Sequence, residues 1–378
     1  MIYLDNAATT YPKPVSVENA VNNALKNYAA NPGRAGHNMS MAAAEEVYRC
    51  RTAAADFFHA PGPECVAFTL NCTHAMNYAL KGLLKPGDHV VTSCLEHNAV
   101  MRPLQSLAEN GVIYTVAQVF PGDNDATVNS FRNALNENTK LIVCTHGSNV
   151  WGIRLPIERI AALGHEYGIP IAVDCAQTAG VLPINMEENG FDYLCIAGHK
   201  GLYGPMGIGM LITPNGAGLS TIIEGGTGTN SISLAQPETM PDRMESGTQN
   251  MPGIAGLRAG IEFVKKRKAE NIYKHEMDLV RYLYRGLSEI KNVRLYTQEP
   301  SEPNFVPVLS FNVADMPSEV VAQKLNSYGI AVRAGLHCAP AAHAAMGTIR
   351  QGAVRVCPSE FSNMNEIRSF TLSLMKIM

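Results

Sequence analysis

The sequence predicts an α/β protein with a largely parallel sheet, followed by a smaller α+β unit. Between residues 60 and 215, short apolar, β-rich runs alternate with segments whose apolar residues recur at helical spacing. Because these strands are apolar throughout, helices are expected to cover the sheet on both faces. A glycine-rich stretch then interrupts the alternation, and shorter strands and helices follow it.

The elements of the first unit are read from these apolar runs. The predicted strands are Asp88–Ser93, Val112–Val116, Leu141–Thr145, Ile169–Asp174, Phe191–Ile196 and Gly207–Thr213. Between the third and fourth strands, residues 157–167 show one apolar face and predict a helix. Residues 217–252 are rich in Gly, Ser and Thr and predict a long functional loop.

The C-terminal part begins with a long helical stretch from about Gly256 to Ile290. After it the predicted elements are a strand at Val306–Phe311, a helix at Ser318–Tyr328, strands at Ile330–Arg333 and Ala353–Val356, and a final helix at Met364–Met378. We expect a large domain over residues 15–258 and a small domain made of residues 1–14 and 259–378.

Composition excludes several classes of protein. Charged residues make up only 17% of the 378 residues, so extensive burial or a partner subunit is expected. Thirty basic and thirty-three acidic residues give a net charge of -3, and no basic patch indicates nucleic-acid binding. No apolar window is long enough to cross a membrane. The nine cysteines lack the spacing of zinc ligands or a disulfide framework, so we expect no metal and a reducing, cytoplasmic location.

The residues that follow the strands are the first candidates for a site, because ligands of such sheets bind beyond the carboxyl ends of the strands. Lys200 follows the strand Phe191–Ile196 across a short turn. A lysine in a cleft can form a Schiff base with a carbonyl cofactor, although a solvated surface lysine is the commoner case. Asp174 ends another strand, where a carboxylate can pair with a pyridinium nitrogen or cap the next helix.

His97 and Thr73 begin two predicted helices of the same unit. An imidazole in this position can stack on a flat ring or transfer protons. Thr73 can hold a phosphate at the helix N-terminus, or it can be an ordinary N-cap. A lysine, a carboxylate, a histidine and a phosphate-binding helix end at the edge of one sheet together predict a pyridoxal phosphate site.

Two residues of the C-terminal part also have unusual settings. Cys338 lies in the turn-like segment Arg333–Pro340, where a neighbouring histidine and arginine can lower the pKa of the thiol and make it reactive, although a buried structural cysteine is the commoner case. Arg355 stands inside an apolar strand, where an unpaired charge would be costly. A carboxylate partner, from the protein or from a substrate, would offset this cost.

The sequence resembles the class V branch of the fold-type I pyridoxal phosphate enzymes, and within it the cysteine desulfurases and selenocysteine lyases. The segments that carry the resemblance are Tyr3–Thr10, Glu96–Val100, Ser148–Val150, Val173–Gln177, Gly198–Lys200, Glu245–Thr248 and Arg333–Pro340. The resemblance implies these cofactor contacts: Lys200 as Schiff base, Asp174 at the ring nitrogen, Gln177 near the ring hydroxyl, His97 stacked on the ring, Asn149 nearby, Thr73 and His199 on the phosphate, and Thr248 from the other subunit of a homodimer.

For the reaction, the resemblance implies that Cys338 takes sulfur from L-cysteine as a persulfide and that L-alanine is released, with Lys200 and His97 moving protons. Arg355, Arg34 and Asn149 would bind the substrate, and a sulfur-acceptor protein is a possible partner. Ala197 stands two residues before His199, where the family usually has a Ser or Thr that contacts the phosphate, so we expect this contact to be missing or to be supplied by another residue such as Thr73. The alternatives are a selenocysteine lyase, another class V lyase or aminotransferase, and a non-catalytic scaffold in sulfur trafficking.

Overall fold

The fold is described from a computed structural model, which describes residues 1–32, 36–214, 216–229 and 231–378. The strands are β1 (Ile2–Tyr3), β2 (Val66–Thr69), β3 (His89–Ser93), β4 (Ile113–Ala117), β5 (Thr139–Thr145), β6 (Ile171–Asp174), β7 (Tyr193–Ala197), β8 (Gly209–Ile212), β9 (Val293–Leu295), β10 (Leu309–Val313), β11 (Ile330–Ala331), β12 (Arg333–Gly335) and β13 (Ala353–Val356). The helices are α1 (Val15–Asn27), α2 (Asn38–Phe58), α3 (Cys72–Leu83), α4 (Asn98–Ala108), α5 (Asn124–Ala134), α6 (Ile157–Glu166), α7 (Met186–Asn189), α8 (Met251–Arg267), α9 (Ala269–Ser288), α10 (Ser318–Ser327), α11 (Pro340–Ala345) and α12 (Met364–Ile377).

Seven of the described strands form the large sheet, in the order β2-β8-β7-β6-β5-β3-β4. Neighbouring strands are parallel except where β8 pairs with β7 and with β2. The link from β7 to β8 spans only residues 198–208, which is too short for the helical crossover that a parallel pair requires. The predicted α/β class with a largely parallel sheet is confirmed. The last strand predicted for this sheet, β8, is antiparallel to both of its neighbours.

Apolar side chains cover both faces of this sheet. Along β5, Ile142 and Cys144 belong to one core cluster, whereas Leu141 and Val143 belong to another. This alternation is what a strand buried on both sides requires. Residues of α2, α6 and α8 belong to the first cluster and residues of α3 and α4 to the second, so helices pack on each face.

A second, antiparallel sheet has the order β12-β13-β10-β9, and β1 pairs in parallel with β11. Helices α9, α10 and α12 contribute to a separate apolar cluster that also includes Leu4 from the N-terminal segment. This cluster supports the proposed small domain of residues 1–14 and 259–378, which stays a prediction. Within the described ranges, no helix has both the length and the apolarity that a membrane crossing needs.

Several element bounds differ from the sequence prediction. The helical stretch predicted from Gly256 to Ile290 is two helices, because the chain turns at Lys268, where φ is 69°. A strand was predicted at Val306–Phe311, but the observed strand, β10, begins at Leu309. Val306 lies outside it and donates a backbone hydrogen bond to the carbonyl of Gly152 at 2.7 Å. The predicted strand Ile330–Arg333 is split between β11 and β12, which belong to different sheets. The predicted loop of residues 217–252 has no helix or strand over residues 219–229 and 231–250, whereas its last two residues, Met251 and Pro252, already belong to α8.

Candidate active site

The carboxyl ends of β3, β5, β6 and β7 lie at one edge of the large sheet and border a cavity of about 300 Å³. The segments near these strand ends contribute His97, Asn149, Asp174, Gln177, His199 and Lys200. The small antiparallel sheet and its loop contribute Arg333, His337, Cys338 and Arg355. The structure therefore brings most of the predicted site residues into one cavity.

Lys200 follows β7, and Asp174 is the last residue of the neighbouring strand β6. Burial lowers the pKa of Lys200, while the negative charge of Asp174 acts in the opposite direction. A lysine with a lowered pKa is more readily the neutral, nucleophilic amine. Asp174 is buried, and its Oδ1 accepts a hydrogen bond from the N–H of Ala176 at 2.9 Å. The two side chains thus have the properties expected of a Schiff-base lysine and a fixed carboxylate.

Cys72 is a component of the site that the sequence analysis missed. Its buried thiol lies 3.3 Å from Oδ1 of Asp174 and 3.3 Å from the carbonyl oxygen of Cys195. Burial raises the pKa of the Cys72 thiol well above its usual value, so the sulfur keeps its proton and donates it to these oxygens. Cys72 therefore helps to hold the Asp174 carboxylate in place.

Helix α3 points its N-terminus at the cavity, and Thr73 lines the cavity from this helix end. The N-cap is Asn71, whose side chain accepts a hydrogen bond from the N–H of His74 at 2.9 Å. The alternative in which Thr73 is an ordinary N-cap is therefore wrong. A Cβ at Gly209 of β8 would lie 2.8 Å from the Cα of Asn71, so this close approach requires glycine. The exposed N–H groups of the helix end suit a phosphate.

The pKa values of the histidines that border the cavity are lowered, which favours the neutral form of the rings. Nδ1 of His97 accepts a hydrogen bond from the N–H of Ala99 at 3.0 Å, and burial lowers the pKa of His97. Burial, with the charges of Lys200 and Lys13, lowers the pKa of His199 to about 4. Neutral rings at these positions can stack on an aromatic ring or donate a hydrogen bond to a phosphate.

Asn149 and Gln177 tie the strand ends to the segments that close the cavity. Nδ2 of Asn149 donates to the carbonyl of His337 at 2.9 Å. Nε2 of Gln177 donates to the carbonyl of Ala7 at 3.1 Å. Both amides therefore have backbone partners in the chain, and their contacts to a cofactor or substrate stay predictions.

Cys338 is the exposed cysteine of the chain, whereas the other eight are buried. His337 and Cys338 have φ values of 50° and 55°, in the left-handed region, which costs a non-glycine residue about 1–3 kcal/mol. The loop is held in this shape by a hydrogen bond from the N–H of Asn98 to the carbonyl of Cys338 at 2.7 Å. Nε2 of His337 also donates to the carbonyl of Ala353 at 3.0 Å. The alternative of a buried structural cysteine is therefore wrong.

Arg355 has a carboxylate partner within the chain, which the sequence analysis did not identify. Its guanidinium donates to Oδ1 of Asp5 at 2.8 Å and to the carbonyl of Asn149 at 2.9 Å. The cost of burying this charge is thus offset by Asp5, without a substrate. Nε of Arg355 is buried and has no hydrogen-bond partner among the described residues, and the side chain lines the cavity. The exposed Arg333 adds a second positive charge there.

One predicted site residue that the structure describes does not line this cavity. Thr248 lines a separate groove together with Leu70 and His74. Its predicted contact therefore needs a second subunit. Arg34 lies outside the described residues.

The residues present fit pyridoxal phosphate. The cavity volume of about 300 Å³ is at the lower end of the range for small-molecule sites. Nδ1 of His199 and Nε of Arg355 are buried without a hydrogen-bond partner in the described part of the chain, so the cavity has unused polar groups for an anionic ligand. The helix end at Thr73, the amine of Lys200 and the carboxylate of Asp174 match the phosphate, the aldehyde and the ring nitrogen of this cofactor.

Glu96 is fully buried between β3 and β5, and its Oε1 accepts a hydrogen bond from the N–H of Thr145 at 2.9 Å. Burial raises the pKa of Glu96 to about 8. Since the folded state binds this proton more tightly than the unfolded state, the stabilising contribution is present at low pH and is lost as pH rises toward 8.

We expect Glu96→Gln to remove this dependence. As pH rises from 5 to 8, the free energy of unfolding of the unsubstituted protein should fall relative to that of the variant. The fall is at most about 1.4 kcal/mol for each pH unit. Urea unfolding at several pH values measures this difference, with the exposed Glu109→Gln as control. Parallel curves for the variant and the unsubstituted protein would show that Glu96 does not titrate in this range.

Comparison with protein families gives a match to the aminotransferase class V family over residues 2–370. A probable cysteine desulfurase of Synechocystis sp. is 31% identical over 99% of this chain and 90% of its own length. A probable cysteine desulfurase of Methanothermobacter thermautotrophicus is 33% identical over 92% of this chain and 89% of its own length.

Among solved structures, the chain is similar to the apo form of a cysteine desulfurase from Thermococcus onnurineus NA1. The TM-score is 0.92 at 30% sequence identity, and the match covers 100% of this chain and 94% of the other. The similarity of fold therefore includes both sheets.

Proposed function

The chain belongs to the aminotransferase class V family, and we propose that it is a pyridoxal phosphate-dependent cysteine desulfurase. In this reaction L-cysteine becomes L-alanine and its sulfur is transferred to Cys338. The observation that carries the proposal is the exposed Cys338 thiol, which lines the same cavity as Lys200 and Asp174. The names of the relatives and of the similar structure support it.

The residues proposed to hold the cofactor are Thr73, His97, Asn149, Asp174, Gln177, His199 and Lys200. When bound, pyridoxal phosphate supplies an electron sink that weakens the bonds at Cα and Cβ of an amino acid substrate. The carboxylate of Asp174 would hold the ring nitrogen, and Lys200 would hold the cofactor covalently through Nζ. The phosphate would lie at the N-terminus of α3.

Proton transfer is assigned to Lys200, with His97 assisting. Burial favours the neutral amine of Lys200, which is the form that accepts the Cα proton. The same Nζ then returns a proton to the product. Nδ1 of His97 is occupied as an acceptor by the N–H of Ala99, so its Nε2–H is the group available as a hydrogen-bond donor.

Sulfur transfer is assigned to Cys338 as a thiolate that attacks the substrate sulfur. A new S–S bond forms while the Cβ–S bond of the substrate breaks, and its electron pair passes to the substrate carbon skeleton. Cβ then takes up a proton, so the products are alanine and a persulfide on Cys338. The unpartnered Nε of Arg355 is the donor proposed for the substrate carboxylate, with Asn149 nearby. Arg34 stays a predicted contact.

The assembly proposed for this enzyme is a homodimer, because Thr248 contacts the cofactor phosphate only if it comes from a second subunit. A protein or a small thiol would accept the sulfur of Cys338. A reducing, cytoplasmic location is proposed because all nine cysteines are free.

The proposal is tested by incubating the purified protein and pyridoxal phosphate separately with L-cysteine, L-selenocysteine and cysteine sulfinate. Alanine from L-cysteine in the presence of a reducing thiol is the expected result. Alanine from L-selenocysteine alone would contradict the proposal and identify a selenocysteine lyase. Loss of the substrate amino group to an added keto acid would identify an aminotransferase.

A further inference from the structure

The backbone carbonyl of His199, one residue before Lys200, is surrounded by donors from the N-terminal segment. Nζ of Lys13 donates to this oxygen at 2.8 Å. The hydroxyl of Thr9 lies 3.1 Å away and the N–H of Thr10 lies 3.2 Å away. Because a carbonyl oxygen has two lone pairs, the donors compete, and the charged and nearest donor, Lys13, is the strongest of them.

The next carbonyl along the chain is held by the same segment. The hydroxyl of Thr10 lies 3.1 Å from the carbonyl oxygen of Lys200 and accepts a hydrogen bond from Nζ of Lys13 at 2.7 Å. On its other side, the carbonyl of Lys200 accepts from the N–H of Tyr203 at 2.8 Å. The peptide that carries the Lys200 side chain is therefore fixed from two directions.

The environment of Lys13 differs from that of a surface lysine. Burial lowers its pKa to about 8, and its ammonium contacts neutral oxygens of Thr10 and His199. Lys13 is half-buried, and the partial loss of hydration of an amino group is costly unless its donors find acceptors in the protein. The contacts to the turn before Lys200 are thus the contacts that keep Lys13 in this position.

The segment that ends in Lys13 is also anchored to the small antiparallel sheet. The side chain of Asp5 pairs with Arg355 at 2.8 Å, and the N–H of Asn6 donates to the carbonyl of Cys357 at 3.3 Å. Residues 5–13 therefore connect the strand that carries Arg355 with the turn that carries Lys200.

We propose that Lys13 is a positioning residue for Lys200: its ammonium fixes the His199–Lys200 peptide and, through residues 5–13, sets the position of Lys200 relative to Arg355. The inference rests on the proposed role of Lys200. Misplacement of a reacting group by about 1 Å can lower the rate by up to about 100-fold without loss of binding. Loss of Lys13 should therefore lower kcat more than it changes KM.

The test compares Lys13→Met, which keeps the length of the side chain but removes the donor, with Lys13→Arg, which keeps a charged donor. Lys26→Met, in the exposed face of α1, is the control. For Lys13→Met we expect kcat for L-cysteine to fall about tenfold while KM changes less than about twofold. Lys13→Arg should recover most of the loss, and Lys26→Met should match the unsubstituted enzyme.

Amide hydrogen exchange in the apoprotein is the second measurement, because it needs neither cofactor nor turnover. We expect Lys13→Met to raise the exchange rates of Tyr203 and Gly204 about tenfold, with the rest of the large sheet unchanged. Unchanged kcat and unchanged exchange in Lys13→Met would overturn the inference, as would an increase in exchange spread evenly over the protein. If the unsubstituted enzyme formed no alanine, the proposed function would fail, while the exchange data would still decide the role of Lys13.

Discussion

Replacing Lys200 by Ala is expected to abolish alanine formation from L-cysteine and to remove the visible absorption of the covalently held cofactor. Lys200 lies in the cavity, and the pKa of its amine is lowered. It follows β7, the strand that pairs with the strand ending at Asp174. Its loss removes both the covalent attachment and the proton carrier. Proton transfer alone contributes about 10²–10⁴-fold, so kcat should fall by at least about 10²-fold.

Absorption spectra and alanine assays of the same preparation measure both effects of Lys200→Ala. Lys85→Ala, an exposed lysine outside the cavity, is the control and should keep spectrum and activity. An absorption band that survives dialysis in Lys200→Ala would show that another amine holds the cofactor.

Replacing Cys338 by Ala is expected to leave cofactor binding intact and to lower alanine formation by at least about 10³-fold, because the thiolate that accepts sulfur is lost. Cys338 is exposed, so the free energy of unfolding should change by less than about 1 kcal/mol. Alanine release and the cofactor spectrum measure the two properties separately.

Cys65→Ala is the matched control, because this cysteine lies outside the cavity, immediately before β2. It should retain alanine formation. Turnover of L-cysteine at the unsubstituted rate in Cys338→Ala would contradict the nucleophile assignment and leave the cysteine without a chemical role.

Most of the site residues that the sequence predicted lie at or shortly after the ends of strands. Lys200, Asp174 and His97 each come shortly after an apolar run, and the parallel register of β3, β5, β6 and β7 places these strand ends at one edge. Cys338 was found from its turn-like surroundings, which are a local property of the sequence. Local pattern and strand polarity were therefore sufficient for most of the cavity.

The residues that were missed act through contacts between distant parts of the chain. Asp5 pairs with Arg355 across 350 positions, and Cys72 contacts Asp174 across 102 positions. Lys13 reaches the turn before Lys200 in the same way. Such pairs depend on how the segments pack, and no periodicity in the sequence encodes that packing.

The predicted fold class is confirmed, but one helix boundary and the direction of one strand depend on features of the backbone that the side-chain pattern does not show. The apolar periodicity continues across Lys268, yet its positive φ ends α8 and starts α9. The strand β8 has the composition of its neighbours, but the short link after β7 makes it antiparallel. Strand direction is set by the length of the connection rather than by the residues of the strand.

The most direct test of the account is a single turnover with enzyme in excess over L-cysteine and no added thiol, followed by mass spectrometry of the peptide that contains Cys338. The account predicts one alanine for each L-cysteine consumed and a gain of one sulfur atom on the Cys338 peptide, with both absent in Cys338→Ala. Alanine without added sulfur on this peptide, or sulfur on one of the buried cysteines instead, would contradict it.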